Sequence, residues 1–460
     1  MSAKYHIETA NVPNRYPTIT RSGVIAWEEG CLKCPRCVKR ECVYGVYDKR
    51  KLDSRLMLDS LDSLCKDCFR CVQNCPNRLI HKALNPEYKK LGDAYWTPEI
   101  ISKLWYQAET GRIPVSGAGY GGPFSGPGFD AMWTDMSEIV RPTRDGIHGR
   151  EYISTQVDLG RKHKALAFDR EGKLLTTPYP LVEIPLPIIF DLLPWSPPRD
   201  RLNHALLRSA QGLDTLAVIA QQDWNPSLRK YAAHVLLYLT GDPSDLDPEL
   251  LSKLRIIEIP DGPRVLERRQ RLKDLQPGLL VAVRLPLNAG GAERALELTQ
   301  DGLEILHFTA DEFGREQGPE PLTIKDRMKA VHLHLVRFGV RDQITLLAGG
   351  GVAMAEHMAK LIICGADAVT LDIPLLIALE CRVCRRCAAG IPCPVTIDQI
   401  YPPRGEARIR NLIAGWHSQL LEVMGAMGIR EARRLWGEMG RAMFFEDLEQ
   451  DVFARLGQRS

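Results

Sequence analysis

From about residue 184 onward the chain alternates between short runs that are apolar at nearly every position and longer runs with helical spacing. The apolar runs are Pro187–Phe190, Thr215–Ala220, His234–Leu239, Arg255–Ile259, Leu279–Leu285, Leu303–Phe308, Ile344–Leu347 and Ala368–Ile373. Helical patterns separate or follow them at Arg201–Gln211, Pro248–Leu254, Val265–Leu275, Ala292–Gln300, Ile324–Phe338, Ala353–Cys364 and Leu375–Cys387. Strands with no polar face are buried on both sides, as in a parallel sheet covered by helices. Eight of them, interleaved with helical patterns, predict a closed α/β fold, the (β/α)8 TIM barrel, over 184–400. A doubly wound open sheet is the alternative, which the count of eight disfavours.

The flanks read differently. Residues 96–183 are irregular and rich in Gly and Pro, which predicts a linker packed on the barrel. Gly117-x-Gly119-x-x-Gly122 has the spacing of a dinucleotide fingerprint, but no good strand precedes it and Pro123 and Pro127 stand where a helix should begin. Arg141, Arg144, His148 and Arg150 form either a loop tied down by its own hydrogen bonds or a basic lid over an anionic ligand. The tail, 401–460, has helical periodicity, and Leu412, Trp416, Leu420 and Met424 make one apolar stripe that predicts packing against the barrel or another subunit.

Cysteine spacing changes the picture most. Twelve of the 13 cysteines fall in three groups, and only Cys364 stands apart, in an apolar helix where a buried thiol is expected. Cys31-x2-Cys34-x2-Cys37-x4-Cys42 is followed by Cys65-x2-Cys68-x2-Cys71-x3-Cys75-Pro76. The second run has the spacing of bacterial two-cluster ferredoxins, in which the last cysteine of each run ligates the other cluster. Residues 1–95 are therefore expected to be a ferredoxin-like module with two [4Fe-4S] clusters, one on Cys31, Cys34, Cys37 and Cys75, the other on Cys65, Cys68, Cys71 and Cys42. Zinc is the competing metal, but its sites pair two knuckles or add histidine, and neither run contains a His. The third group, Cys381-x2-Cys384-x2-Cys387-x5-Cys393-Pro394, continues the last barrel helix among Arg382, Arg385 and Arg386 and predicts a third iron–sulfur site.

Charge is nearly balanced, 60 basic against 57 acidic residues, which gives no footprint for nucleic acid. No run approaches the roughly 18 apolar residues of a membrane span, and the N-terminus lacks the apolar core of a secretory signal. Metal-holding cysteines in a long chain without such a signal point to the cytoplasm.

Barrel chemistry belongs at the C-terminal strand ends, with phosphate commonly held after strands seven and eight. That gathers Phe190, Asp191, Gln221, Asp223, Thr240, Asp261, Arg284, Asn288, Thr309, Asp311, Gly350, Gly351 and Asp372 around one mouth. Gly349-Gly350-Gly351 ends a strand just before a helix, where exposed N–H groups suit a flavin phosphate. Arg284, at the end of an apolar strand, must be paired or face a cavity, and beside a flavin it could stabilise charge at N1 and C2=O.

On these residues the chain resembles the FMN-binding synthase domain of glutamate synthase, in the archaeal-type variety that carries its own ferredoxin module. The likeness runs over roughly 184–415. Val283-Arg284-Leu285 to Ala289-Gly290 is similar to the family strand ending in Lys-Leu, and Gly349-Gly350-Gly351-Val352 to its phosphate-binding Asp-Gly-Gly-Ile. Cys381, Cys387, Cys393, Pro394 and Val395 are similar to its three-cysteine cluster motif. The resemblance implies FMN on Phe190, Asp191, Gln221, Arg284, Gly349, Gly350, Gly351 and Asp372, with Arg284, Asn288 and Asp311 as catalytic candidates. It implies reduction of 2-iminoglutarate, formed from 2-oxoglutarate and ammonia, to glutamate.

The chain departs from that pattern at several points. Cys384 is an added cysteine, which favours a [4Fe-4S] over the family's [3Fe-4S] cluster. Thr370-Leu371-Asp372-Ile373 replaces the family's flexible Gly-Phe-Gly-Thr, and Asp372 would repel a phosphate that it faced. Asn288 stands where the family has a substrate-side Glu. The chain opens Met1-Ser2-Ala3, without the family's N-terminal cysteine nucleophile, so ammonia would be free or come from a separate glutaminase-type subunit. Two functions follow: a ferredoxin-fed, FMN-dependent synthase making glutamate or an N-substituted relative, or a flavin and iron–sulfur electron-transfer subunit of a larger redox complex.

Overall fold

The computed structural model describes residues 5–26, 30–47, 60, 62–65, 67–113, 128–134, 153–195, 200–319 and 321–453. Arg141, Arg144, His148, Arg150 and the Gly117–Gly122 run lie outside them. The chain divides into two compact units, one of Met1–Pro13, Tyr106–Cys381 and Arg385–Ser460, the other of Asn14–Trp105 and Arg382–Cys384.

The larger unit is built on eight parallel strands closed into a barrel. In chain order they are Ile188–Phe190, Ala217–Ala220, Val235–Tyr238, Ile256–Pro260, Leu280–Pro286, Ile305–Thr309, Thr345–Gly349 and Ala368–Leu371, here strands one to eight. Closure comes from strand eight pairing with strand one, Leu371 opposite Phe190. All eight expected strands are present in order. Their outer faces bury Leu, Ile and Val against the helices, which leaves the inner face free to carry polar groups.

The N-terminal end of the barrel is covered by a hairpin, Val157–Leu159 paired with Val182–Ile184. Gly160 anchors it: its N–H donates to Thr345 Oγ1 at 3.0 Å, and the same hydroxyl donates back to its carbonyl at 2.9 Å. Arg161 donates to the carbonyls of Thr299 and Leu303. The C-terminal end of the barrel is left for chemistry.

The tail forms a helix over Pro402–Ala426 that lies along helix Asp200–Gly212. Close approach needs Gly405, where a Cβ would come within 2.8 Å of Ala205 Cβ. The stripe Leu412, Trp416, Leu420 and Met424 is buried, and Trp416 Nε1 donates to Gln107 Oε1 at 3.1 Å.

One expected element is shorter than its pattern suggests. The helix predicted over Leu375–Cys387 spans Ile373–Ala378 and stops, because Glu380, Val383 and Arg385 all take left-handed φ values of 75°, 54° and 51°. The Ala378 carbonyl freed at its end accepts from Arg408 Nε at 2.6 Å, and Glu380 pairs with Arg404 at 3.2 Å. The tail helix therefore fixes where the cysteine loop begins.

In the smaller unit Ser22–Ala26 pairs antiparallel with Ile80–Leu84, Ser22 opposite Leu84. The two cysteine runs lie between these strands, each third cysteine falling in a short helical turn, Arg36–Glu41 and Arg70–Gln73. Trp416→Ala should destabilise the larger unit by about 3–5 kcal/mol. A lowered melting temperature by calorimetry is the expected result.

Candidate functional site

The cysteine loops share one backbone plan. The residue before the second cysteine is left-handed in all three runs: Lys33 (52°), Asp67 (53°) and Val383 (54°). The residue after the second cysteine is left-handed in two, Phe69 (59°) and Arg385 (51°), while Pro35 occupies that place in the first run. Three residues past the last cysteine the sign recurs at Gly45 (74°), Arg78 (53°) and Thr396 (43°). The Arg78 N–H donates to Cys75 O and the Thr396 N–H to Cys393 O, each at 3.1 Å. A left-handed non-glycine residue is uncommon, so seven of them at matched positions, with Gly45 at an eighth, define a repeated loop. Such alternation turns successive N–H groups and thiols toward one side.

Sulfur contacts fit that reading. Lys33 N–H donates to Cys31 Sγ at 3.4 Å and Leu79 N–H to Cys75 Sγ at 3.3 Å. Lys82 Nζ reaches Cys65 Sγ at 2.7 Å and pairs with Asp67, its side chain almost fully buried. Cys37, Cys42, Cys65 and Cys71 pack round the buried Val46 and Tyr47. Burial pushes the Cys71 thiol up, and Cys65, Cys42 and Cys68 add like charge. Those neighbours are the set that crossed ligation assigns to one cluster. Among the described residues no group of three or more His, Cys, Asp and Glu side chains forms a set that could hold a metal ion.

At the barrel mouth the inner face carries a layer of buried charge. Arg284 on strand five pairs with Asp191 beyond strand one and, at 3.0 Å, with Glu258 on strand four. Glu258 also meets His307 Nδ1 on strand six at 2.6 Å. His307 Nε2 lies 2.9 Å from Thr370 Oγ1 on strand eight, which is 3.3 Å from Asp191 Oδ2. Burial pulls Arg284 down, but Asp191 and Glu258 more than offset it and hold the guanidinium charged. Burial pushes Asp191 up, yet Arg284 and His307 bring it below the usual carboxylate range. The guanidinium lies over the Tyr238 ring, 5.1 Å from its centre. Removing one partner of such a set costs several kcal/mol, since a charge is left buried alone.

The other expected mouth residues have defined places. Phe190 is fully buried. Gln221 Oε1 accepts from the Gly241 N–H at 2.9 Å, tying loop two to loop three. Asp311 Oδ1 accepts from the N–H groups of Phe313 and Arg315, holding loop six. Asn288 is half-buried in the loop after strand five, where its carbonyl accepts from Gly291 N–H. The triple glycine is required by close packing: a Cβ on Gly349 would meet Thr370 Oγ1 at 1.8 Å, on Gly350 the Ala310 carbonyl at 2.6 Å, on Gly351 the Gly314 nitrogen at 2.2 Å. Asp372 caps its own helix through the Ile373 N–H at 2.6 Å. Burial pushes its carboxyl up to about 7, against that hydrogen bond.

Loop six and loop one also meet the cysteine loop. Arg385 pairs with Glu312 at 3.0 Å and lies over the rings of Trp195 (5.2 Å) and Phe313 (5.5 Å). Trp195 Nε1 donates to Glu312 Oε2 at 3.1 Å. Arg385 is thus clamped into the mouth. Glu258, His307, Thr370, Trp195 and Glu312 were not singled out from the sequence; only a polar residue inside an otherwise apolar strand could have marked the first three.

Fold and site together define a (β/α)8 barrel with charged groups at its mouth, in one chain with three cysteine loops of a shared backbone plan. Residues 321–430 match the conserved region in glutamate synthase. The archaeal glutamate synthase [NADPH] of Archaeoglobus fulgidus is 26% identical, the match covering 94% of this chain and 96% of that one. The archaeal-type enzyme of Dehalococcoides mccartyi is 24% identical over 89% and 92%. A mandelate oxidase variant carrying an FMN adduct superposes with a TM-score of 0.40 at 14% identity, over 68% of this chain and 92% of that one, too loose a match to carry an argument. Over most of its length the chain is similar to archaeal-type glutamate synthases.

Asp372 supplies a pH test. Its carboxyl titrates near 7 folded against 3.8 otherwise, so folding binds a proton between those values. Its contribution to stability is complete below about pH 4 and is lost as pH rises through 7, by at most about 1.4 kcal/mol per pH unit. Asp372→Asn keeps the cap and should flatten that fall, raising the melting temperature at pH 8 relative to the parent while changing little at pH 4.

Proposed function

We propose that the chain is an oxidoreductase of the glutamate synthase type, in which iron–sulfur clusters deliver electrons to FMN at the barrel mouth for reductive amination of 2-oxoglutarate or a close analogue. The observation that carries this reading is the Arg385 clamp, which ties a ferredoxin-type cysteine loop into two loops of the mouth. Two [4Fe-4S] clusters are assigned to the N-terminal runs, with Cys31, Cys34, Cys37 and Cys75 on one and Cys65, Cys68, Cys71 and Cys42 on the other. A third is assigned to Cys381, Cys384, Cys387 and Cys393. The matched left-handed positions at 67 and 69, and at 383 and 385, support a four-iron cluster there.

The donor set fits FMN. Arg284 would face the pyrimidine side of the ring, its charge fixed by two carboxylates. The tight Gly349–Gly351 turn brings main-chain N–H groups to the strand-seven end, where a side chain has no room. Asp372, neutral below about pH 7, can donate a hydrogen bond to a phosphate oxygen instead of repelling it. When bound, FMN supplies the exchange between one-electron carriers and hydride transfer. Asn288 and Asp311 stand on the substrate side, Asp311 by holding loop six in place.

The relatives' names supply the substrate class, and ferredoxin or other redox subunits, with a separate ammonia source, are the partners this reading needs. Among the described residues no helix is long and apolar enough to cross a membrane, in keeping with a cytoplasmic enzyme. A second reading, an electron-transfer subunit without its own substrate, is favoured by one fact: Arg284 is already committed to two carboxylates rather than held ready for a dicarboxylate ligand.

Incubating the anaerobic full chain with reduced ferredoxin, 2-oxoglutarate and ammonium separates the two. Glutamate formation supports the synthase; bleaching of the flavin without glutamate supports the electron carrier. Lys82→Met removes a cation from the Cys65 sulfur and should lower the midpoint potential of that cluster. An EPR-monitored redox titration reads the shift, and an unchanged potential would remove Lys82 from the cluster's surroundings.

A further inference from the structure

The inner layer of the mouth is a connected set of hydrogen bonds whose protons can be counted. Glu258 Oε2 accepts from Arg284 Nε at 3.0 Å in an ion pair, and with that carboxylate charged its Oε1 accepts from His307 Nδ1, 2.6 Å away. Asp191 is likewise ionised beside Arg284, and can only accept from Thr370 Oγ1 at 3.3 Å. The Thr370 hydroxyl has one proton. When that proton goes to Asp191, His307 Nε2, 2.9 Å from the hydroxyl oxygen, is the donor and both ring nitrogens carry protons; when it goes to Nε2, the ring is neutral.

Charge selects the doubly protonated ring. Asp191 and Glu258 supply two negative charges and Arg284 one positive. His307 and Glu258 are wholly buried, and Asp372 adds further negative potential at Asp191 when it ionises. A second cation makes the layer neutral, whereas a neutral ring would leave a net negative charge in the barrel interior. The groups facing the layer from the remaining packed positions are Tyr238, beneath the Arg284 guanidinium, and Asp372, beside Asp191.

We propose that His307 is held inside the barrel as an imidazolium and serves as the proton store for chemistry at the mouth, discharging through the Thr370 hydroxyl to Asp191. Its use rests on the reductive reading above; its existence does not. Reduction of a C=N bond adds a hydride to carbon and a proton to nitrogen. FMN, when bound, would supply the hydride. The proton leaves His307 Nε2 for Thr370 Oγ1 as the Thr370 proton passes to Asp191 Oδ2, and Asp191 gives it to the substrate nitrogen. His307 is left a neutral imidazole, and solvent at the mouth restores the proton by the reverse path. His307 is a positioning and proton-holding residue, since it acts through Thr370 and Asp191 and not on the substrate itself.

The test is 15N NMR of the histidine-labelled full chain, its clusters oxidised, at pH 7.5, with His307→Gln assigning the signal. The proposal expects both ring nitrogens to show protonated shifts; one unprotonated, pyridine-type nitrogen would overturn it. Thr370→Val should slow exchange of the Nε2 proton with water at least about tenfold, and Thr370→Ser should restore it. Equal exchange in all three proteins would overturn the relay while leaving the charge state standing. Imidazolium without glutamate formation from 2-oxoglutarate and ammonium would sink the substrate reading only. Glutamate formation with a neutral His307 would sink the store only.

Discussion

A guanidinium inside a barrel of Leu, Ile and Val is untenable unless it is paired, and the mouth is built round that requirement. Arg284 is met by Asp191 from strand one and Glu258 from strand four. Two carboxylates round one cation create a second demand, which His307 answers from strand six through Glu258 and Thr370. Five strands are thereby tied at one level. The helices outside pack on apolar outer faces and do not see this layer. Stability and chemistry are separated radially, with packing outside and charge inside.

A second constraint acts at the cysteines. The cysteines of each run stand three positions apart, and the chain departs from regular helix between them through left-handed residues at fixed offsets. Such residues cost energy outside glycine, so they persist where surrounding contacts hold them. Glu380 with Arg404, and the Ala378 carbonyl with Arg408, provide that hold at the entry to the third loop. Arg385 provides it on the barrel side, where Glu312, Trp195 and Phe313 receive it. One arginine thus serves both the loop's shape and its attachment to the mouth.

Much of this was legible in the residue order. Eight strands without a polar face announce a closed parallel barrel, and the spacing of twelve cysteines announces their grouping. The inward layer was harder to read, because a strand buried on both faces has no alternation to say which side chain points to the centre. Arg284 drew notice as a lone charge, whereas Glu258, His307 and Thr370 acquire meaning only when four strands bring them together. Gln221 and Asp311 were recognisable as mouth residues, but their hydrogen bonds hold loops. The last barrel helix was read too long, since apolar and cysteine positions continue a helical period after the backbone has left it.

The account's central claim is that ferredoxin-type clusters and a flavin share this chain, and iron and flavin stoichiometry of anaerobically purified protein tests it most directly. Three cubanes and one coenzyme predict about twelve iron atoms and one FMN per chain. Material with no flavin and fewer than about eight iron atoms would contradict it.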